Sequence, residues 1–199
     1  MKIDKDHAVR EALALLDEIG LDALSTRKLA ERLGIKQPSL YWHFRDKQAL
    51  LDAMNAQMMR ASHARRTPLA GEDWQAFLRA HATSFRACLL SRRDGARVHA
   101  GARAEPDALP EAEAQLACLV AWGFEIGEAL AALVTVARFV VGFVLEEQAE
   151  AAHPPRLDAL EAFPLLAEAG RIYATVPREE LFLSGLQAIL RGVRLSRIA

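Results

Sequence analysis

The sequence predicts an all-α protein with a small N-terminal domain and a larger C-terminal helical domain. Almost every segment carries apolar residues at helical spacing, and no segment shows the sustained alternation that is typical of a strand. Glycine, proline and aspartate interrupt the helical pattern at intervals, as helix ends require. With 199 residues, 52% of them hydrophobic and 26% charged, the composition fits one large or two small soluble globular domains.

The first helix is predicted from apolar residues near the N-terminus. Val9, Leu13 and Leu16 recur at positions i, i+4 and i+7, which places them on one helical face. Gly20 follows this run and is expected to end the helix, because glycine favours helix C-termini.

Two shorter helices follow and predict a function. The first, residues 27–33, ends at Gly34, and after a tight turn Pro38 opens the second, residues 39–43. Two short helices joined by a glycine-containing turn are the sequence form of a helix-turn-helix, whose second helix enters the major groove of DNA. We therefore predict that residues 1–46 form a three-helix DNA-binding domain and that double-stranded DNA is a partner.

Charge is unevenly distributed along the chain. The formal net charge is −1, yet residues 26–47 contain six basic and two acidic side chains, a local net charge of +4. Phosphate binding depends on such a local patch and not on the total charge. A solvated helical face would give the same pattern, so the charge cluster alone leaves both interpretations open.

The C-terminal domain, residues 47–199, is predicted to consist of helices throughout. Asp46 can cap a helix over residues 47–63, which would connect the two domains. Residues 101–110, with two prolines and a glycine, predict a loop, and residues 151–162 are expected to be mobile. The other predicted helical segments are residues 73–90, 95–100, 111–122, 125–150, 162–174 and 178–194.

Two of these segments carry more apolar surface than one small domain would easily cover. Residues 125–150 are apolar nearly all round, and the last helix has six large apolar side chains. Pairing both with the same helices of a second copy would form a four-helix interface, so we predict a homodimer. A monomer in which both helices form the core is the alternative.

The chain is expected to be cytoplasmic and free of membrane spans. Residues 129–145, the most apolar stretch, cover 17 residues and include Arg138, which is marginal for crossing a bilayer. The start, MKIDKDHAVREA, lacks the apolar segment of a signal peptide. Cys88 and Cys118 are isolated in apolar runs, which indicates buried thiols in a reducing compartment.

The run from Ser25 to Gly34, STRKLAERLG, and the following QPSLYWH of residues 37–43 resemble the DNA-binding domain of the TetR family of bacterial repressors. Later blocks, among them WQAFLR at 74–79, RDGARVH at 93–99 and VLE at 144–146, are similar to the tetracycline-responsive branch of that family. The resemblance covers residues 5–150 strongly and the last 50 weakly. It implies a ligand-responsive repressor and not an enzyme.

For the DNA-binding domain, the resemblance implies operator contacts from the two short helices. Arg27 and Gln37 would read bases, since arginine pairs with guanine and glutamine with adenine. Thr26, Tyr41 and Lys47 would hold phosphates. The remaining expected contacts are Pro38, Ser39, Trp42 and His43, although Trp42 could also belong partly to the core.

For the C-terminal domain, the resemblance implies a small-molecule inducer that enters as a chelate with Mg²⁺. His99 would bind the ion directly, and Glu146 of the other subunit would bind it through water. His63, Phe85 and Gln115 would hold the polar and planar parts of the ligand. Mg²⁺ prefers oxygen ligands and keeps several waters, so one imidazole with ligand oxygens suits a chelate.

Three residues depart from the family pattern. His81 stands where the family has an asparagine, Ala102 where it has a threonine, and Arg138 where a histidine is usual. These positions remain predicted ligand contacts, but they also allow a different planar aromatic ligand. A helical metalloenzyme built on the histidines and Glu146 is a further alternative, although no His-Glu-x-x-His motif supports it.

Overall fold

The structure, a computed structural model, describes residues 4–103, 106–152 and 162–193. In this part of the chain the regular secondary structure is entirely helical, which confirms the predicted fold class. The α-helices are α1 (Lys5–Ala23), α2 (Thr26–Arg32), α3 (Gln37–Tyr41), α4 (Lys47–Ser62), α5 (Trp74–Leu90), α6 (Gly95–Gly101), α7 (Leu109–Ala121), α8 (Ile126–Ala152), α9 (Pro164–Thr175) and α10 (Arg178–Gly192), with a 3₁₀ turn at Pro106–Ala108.

Helices α1, α2 and α3 enclose a small core of their own. Leu16 and Leu29 are fully buried, and Leu40 and Phe44 are nearly so. The first helix breaks at Gly20, as predicted, and one further turn continues to Ala23. The φ of Gly20 is 77°, a positive value that glycine adopts at little cost.

Helix α4 runs from the N-terminal core to the C-terminal core. The Asp46 side chain accepts a hydrogen bond from the backbone N–H of Ala49 at 2.7 Å and so caps the helix. Leu50 and Met54 pack into the N-terminal core, whereas Met58 packs into the C-terminal core. One helix therefore contributes to both hydrophobic cores.

The C-terminal core surrounds α8. Phe77 and Phe85 of α5, Val140 of α8 and Phe182 of α10 are buried together. In the single chain one side of α8 stays open. Its buried residues form one stripe, while Thr135, Arg138, Gly142 and Glu146 are exposed.

Prolines account for the helix boundaries that differ from prediction. Helix α7 begins at Leu109, inside the predicted loop, because Pro110 is tolerated in a first turn where its missing N–H has no partner. Helix α9 begins at Pro164 for the same reason, two residues later than predicted. The predicted mobile segment 151–162 begins inside α8, and its residues 153–161 lie outside the described part of the chain.

Side chains near the start of α6 bind the end of α1. Arg92 donates to the Asp17 carboxylate at 2.7 Å, and Arg97 donates to Asp22 at 2.7 Å. The backbone N–H of Leu21, freed by the kink at Gly20, donates to the Asp94 carboxylate at 2.8 Å. We call these contacts the α1–α6 joint, which fixes the N-terminal helices against the C-terminal helices.

Candidate DNA-binding and ligand-binding sites

Helices α2 and α3 are held in place by a cap, a turn and two leucines. The Ser25 hydroxyl accepts from the N–H of Lys28 at 3.2 Å and caps α2. Gly34, with φ of 64°, forms the turn. Leu29 and Leu40 are buried against α1, so the opposite faces of the two short helices point to solvent.

The predicted DNA contacts lie on this solvent side. Trp42 is 89% exposed and Tyr41 is 49% exposed, so the prediction that Trp42 belongs partly to the core is wrong. The Gln37 amide donates to the Thr26 hydroxyl at 3.0 Å and bridges α3 to α2. The other predicted contacts, Arg27, Pro38, Ser39 and Lys47, are exposed, and His43 is half-buried.

The basic patch is smaller than the sequence suggests. Arg32 donates to Glu11 at 2.7 Å and to Glu18 at 2.8 Å, so its charge is neutralised by α1. Arg27 pairs with Glu31 at 2.9 Å but keeps a side chain that is 79% exposed. Because an exposed pair of this kind is weak, Arg27 remains available to DNA, whereas Arg32 holds α2 onto α1.

Three histidine rings surround Phe85 in the C-terminal domain. Phe85 stacks on His63 with ring centroids 5.5 Å apart and meets His99 edge-on at 4.9 Å. His81 lies 4.7 Å from His63, centroid to centroid. We call these four residues the histidine cluster. Of the predicted ligand contacts, it brings together the four that carry rings.

Each of the three imidazole rings in the histidine cluster has one fixed polar partner. Nδ1 of His63 lies 2.9 Å from the Ser84 hydroxyl. Nδ1 of His81 donates to the backbone carbonyl of Arg65 at 3.0 Å, since a carbonyl can only accept. Nδ1 of His99 lies 3.0 Å from the amide oxygen of Asn55.

Burial keeps these rings neutral. Removal from water, with the nearby rings of His81 and His99 and the charge of Arg66, lowers the pKa of His63 from 6.5 to about 3. Burial also lowers the pKa of His81, where the hydrogen bond to Arg65 opposes the shift, and the pKa of His99. At neutral pH the site therefore offers uncharged imidazoles.

A cavity of about 280 Å³ opens beside the histidine cluster. Arg66 and Glu111 form an ion pair of 2.6 Å on its wall. Its lining residues come from α4, the segment after α4, α6, the 3₁₀ turn and the start of α7: Asn55, Ala56, Met59, Arg60, Arg66, His99, Asp107, Ala108 and Glu111. Of the predicted ligand contacts, His99 is the one on this wall.

The other predicted ligand residues lie elsewhere. Gln115 of α7 donates to the backbone carbonyl of Arg66 at 2.7 Å, which places it next to the cavity. Ala102 follows the end of α6 and is half-buried. Arg138 and Glu146 are exposed on α8, away from the residues that line the cavity of the same chain.

Sequence reasoning missed Asn55, Arg66 and Glu111 as part of the site. Asn55 lies eight residues before His63 on a helix that was predicted, so helical spacing could have placed both on one face. The pair formed by Arg66 and Glu111 spans 45 residues and has no local signal.

Comparison with known proteins agrees with this arrangement. Residues 8–54 match the bacterial regulatory proteins of the tetR family, and residues 67–196 match the tetracyclin repressor-like C-terminal domain. The chain belongs to the TetR family. It is a ligand-responsive transcriptional repressor of that family, with a DNA-binding helix-turn-helix.

Relatives within the TetR family align over nearly the whole chain. The tetracycline repressor protein class A from transposon 1721 of Escherichia coli is 43% identical, covering 99% of this chain and 93% of the relative. TetR from Acinetobacter baumannii AYE is 44% identical with a TM-score of 0.83, covering 97% of both chains. TetR (class A) in complex with 5a,6-anhydrotetracycline and magnesium is 42% identical with a TM-score of 0.79, covering 99% of this chain and 100% of that one.

These relatives decide against one of the alternatives. They are DNA-binding regulators, so the metalloenzyme interpretation is rejected. Helix α8 is long and apolar enough to cross a membrane by composition alone, with a mean hydropathy of 2.0. In this TetR-family protein α8 instead packs against α5, α6, α7 and α10.

Proposed function

We propose that this protein binds a palindromic operator as a homodimer in the cytoplasm, is released by a tetracycline–magnesium complex, and controls a drug-efflux gene. The observation that carries the ligand assignment is the histidine cluster, with the ring of His99 on the cavity wall. Phe85 offers a planar apolar face, and the neutral rings offer hydrogen-bonding atoms without charge. Such a site suits a flat, polar, multi-ring molecule.

Operator binding is assigned to the exposed side of α2 and α3. Arg27 and Gln37 would read base edges, while Thr26, Tyr41 and Lys47 would hold phosphates. Pro38, Ser39, Trp42 and His43 complete the contact surface. The exposure of Trp42 supports this assignment, because a large aromatic side chain 89% exposed to water indicates a contact surface.

The donor set fits magnesium that arrives with its ligand. His99 is a neutral imidazole on the cavity wall, which can donate a lone pair to a divalent cation. In the part of the chain that the structure describes, no three histidine, cysteine or acidic side chains are placed to hold a metal ion together, so the cation would need oxygen ligands from the drug and water. When bound, the ion would supply charge that organises the oxygens of the drug. Glu146, exposed on α8, would reach the water shell from the partner subunit.

Release from DNA requires a link between the ligand site and the reading helices. His99 lies on α6, which contacts α1 through the α1–α6 joint and also packs against α4. A ligand that displaces the segment after Asp94 therefore moves the DNA-binding domain. The ligand must bind the released form more tightly than the DNA-bound form, and operator DNA must weaken ligand binding by the same factor.

In the proposed dimer, α8 and α10 would pair with the same two helices of a second copy, which would cover the open side of α8. Leu130 on α8 is 55% exposed, and α9 buries none of its residues, with Leu165 81% exposed. A two-fold partner would cover such apolar surface and would place two α3 helices about 34 Å apart, one helical turn of DNA.

The test begins with selection of the preferred operator from random duplex DNA. An inverted repeat is expected, bound by a dimer in sedimentation experiments. Fluorescence anisotropy should then show release by micromolar tetracycline with Mg²⁺ and retention when the cation is chelated. No metal-dependent release would reject the ligand, and no preference for an inverted repeat would reject the operator model. A divergent efflux gene beside the operator would test the regulated function.

A second candidate keeps the repressor and changes the ligand. His81 donates from Nδ1 to the Arg65 carbonyl, so its neutral ring can offer the ligand only an acceptor at Nε2. An asparagine at this position would offer both a donor and an acceptor. This favours a planar aromatic ligand with a hydroxyl donor. Thermal-shift comparison of tetracyclines with other planar aromatics would separate the two candidates.

A further inference from the structure

We propose that Asn55 is a positioning residue for the ligand site, fixing the His99 ring so that its Nε2 atom carries the lone pair offered to the ligand-borne cation. The inference rests on the proposed function, because it assigns His99 the role of cation ligand. It also extends the ligand site to α4, since Asn55 belongs to this helix, which connects the ligand domain to the DNA-binding domain.

A hydrogen bond joins the side chains of His99 and Asn55. Nδ1 of His99 lies 3.0 Å from the amide oxygen of Asn55. That oxygen can only accept, so Nδ1 must carry the ring proton. An imidazole that binds a metal is neutral, so this is the one proton of the ring. Nε2 is then left with a free lone pair, and an imidazole binds a metal through such a nitrogen.

Phe85 restricts the ring from a second direction. Its ring meets His99 edge-on, with centroids 4.9 Å apart and planes inclined by 74°. Phe85 itself is 4% exposed and packed into the core, so it cannot move aside easily. Asn55 sets the proton position, and Phe85 limits rotation of the ring. Partners of this kind, which hold a ligating histidine in one tautomer, strengthen metal binding.

Asn55 is also one of three α4 side chains that bind the end of α6. Gln48 donates to the Gly101 carbonyl at 2.7 Å, and Asp52 accepts from the Arg103 N–H at 2.8 Å. Residues 48, 52 and 55 share one face of α4 by helical spacing. Of the three, Asn55 bonds a predicted ligand contact. A displacement of His99 is therefore transmitted to α4 through its hydrogen bond to Asn55.

The first experiment determines the tautomer of His99 in drug-free and metal-free protein. Long-range ¹H–¹⁵N correlation spectra distinguish a proton on Nδ1 from one on Nε2. The wild type and the control Gln48→Ala, which breaks a neighbouring bond to α6, should both show the Nδ1–H form. Asn55→Ala should populate the Nε2–H form. Asn55→Asp keeps an acceptor, so at mildly alkaline pH it should retain the Nδ1–H form.

The second experiment measures tetracycline binding by fluorescence as a function of Mg²⁺ concentration. Asn55→Ala should weaken Mg²⁺-dependent binding by about 10- to 100-fold, as loss of a histidine-orienting partner does. Gln48→Ala should stay close to the wild type, and thermal unfolding verifies that each variant folds.

Three results would overturn the proposal. These are an Nε2–H proton in the wild type, an unchanged tautomer in Asn55→Ala, and a changed tautomer without loss of Mg²⁺-dependent affinity. If the wild type binds no tetracycline with Mg²⁺, the proposed ligand is rejected, and the tautomer spectra still decide whether Asn55 positions the ring.

Discussion

The exposed side of α2 and α3, which is proposed to contact the operator and is here called the DNA-contacting surface, presents polar side chains in the opposite way to the histidine cluster. On α2 and α3 they are exposed, with Trp42 89% and Tyr41 49% in contact with solvent. In the histidine cluster the rings are withdrawn from water, and His63 is only 3% exposed. The first surface tolerates charge, whereas the second requires neutral groups with fixed partners.

The two regions also differ in how much they contribute to the stability of the fold. The DNA-contacting surface contributes little to folding, so its residues can be chosen for recognition of DNA. The histidine cluster is also part of the hydrophobic core, because Phe85 belongs to both. Mutations should therefore separate binding from stability in the first region and affect both together in the second.

The largest expected effect comes from Phe85→Ala. Removing this buried ring should lower the free energy of unfolding by about 3–5 kcal/mol, because the cavity left behind is only partly refilled. Chemical denaturation at fixed protein concentration measures the change. The control Phe163→Ala removes a phenyl ring that is 59% exposed and should change stability by less than about 0.5 kcal/mol. Equal losses in both variants would remove the distinction between the regions.

A pair of arginines on α2 tests the DNA-contacting surface. Arg27→Ala should weaken operator binding by about 1–3 kcal/mol, since it removes a base contact, and should leave stability nearly unchanged. Arg32→Ala removes the contacts to Glu11 and Glu18 and should lower the thermal unfolding temperature slightly, because exposed ion pairs contribute little. Anisotropy titration and thermal unfolding measure the two quantities. A greater loss of operator affinity in Arg32→Ala than in Arg27→Ala would contradict the structure.

Acid should destabilise the histidine cluster before it affects the DNA-contacting surface. The pKa of His63 falls from 6.5 to about 3 on folding, so the unfolded chain binds the proton more readily. Stability should thus be fully present above pH 6.5 and decrease below it, by at most about 1.4 kcal/mol per pH unit for this one group. Denaturation of the wild type and His63→Gln between neutral pH and about pH 5 provides the measurement. An unchanged slope in the variant would argue against a neutral buried ring.

The smallest effect is expected at the cap of α2. Ser25→Ala removes the acceptor for the N–H of Lys28 and should cost about 1 kcal/mol of stability. Ser39→Ala, on an exposed position of α3, serves as the stability control. If both changes were neutral, the cap would contribute nothing to the orientation of α2.

Helices α2 and α3 were predictable because their signals are local. The glycine turn, Pro38 and the leucine spacing lie within one short stretch, and they predicted both short helices to within two residues. The neutralisation of Arg32 was not predictable, since Glu11 and Glu18 come from another helix. Charge counted along the sequence ignores such pairing across the fold.

The ligand site was predictable only where a resemblance supplied the residues. His63, His81, Phe85 and His99 do meet, but composition and spacing alone would not have assembled them. Asn55 was missed because its role depends on the approach of α6 to α4, which is a tertiary contact. All of the ligand contacts remain predictions, and in one chain Arg138 and Glu146 lie on the open face of α8.

The α1–α6 joint limits how DNA-binding domains can be exchanged between related repressors. Its contacts connect Asp17, Leu21 and Asp22 on one side to Arg92, Asp94 and Arg97 on the other. A chimera whose foreign DNA-binding domain lacked acidic residues at positions 17 and 22 would keep the arginines without their partners. Hybrid regulators made from this chain should therefore keep residues 17–22, or import matching residues at both ends, if they are to remain inducible.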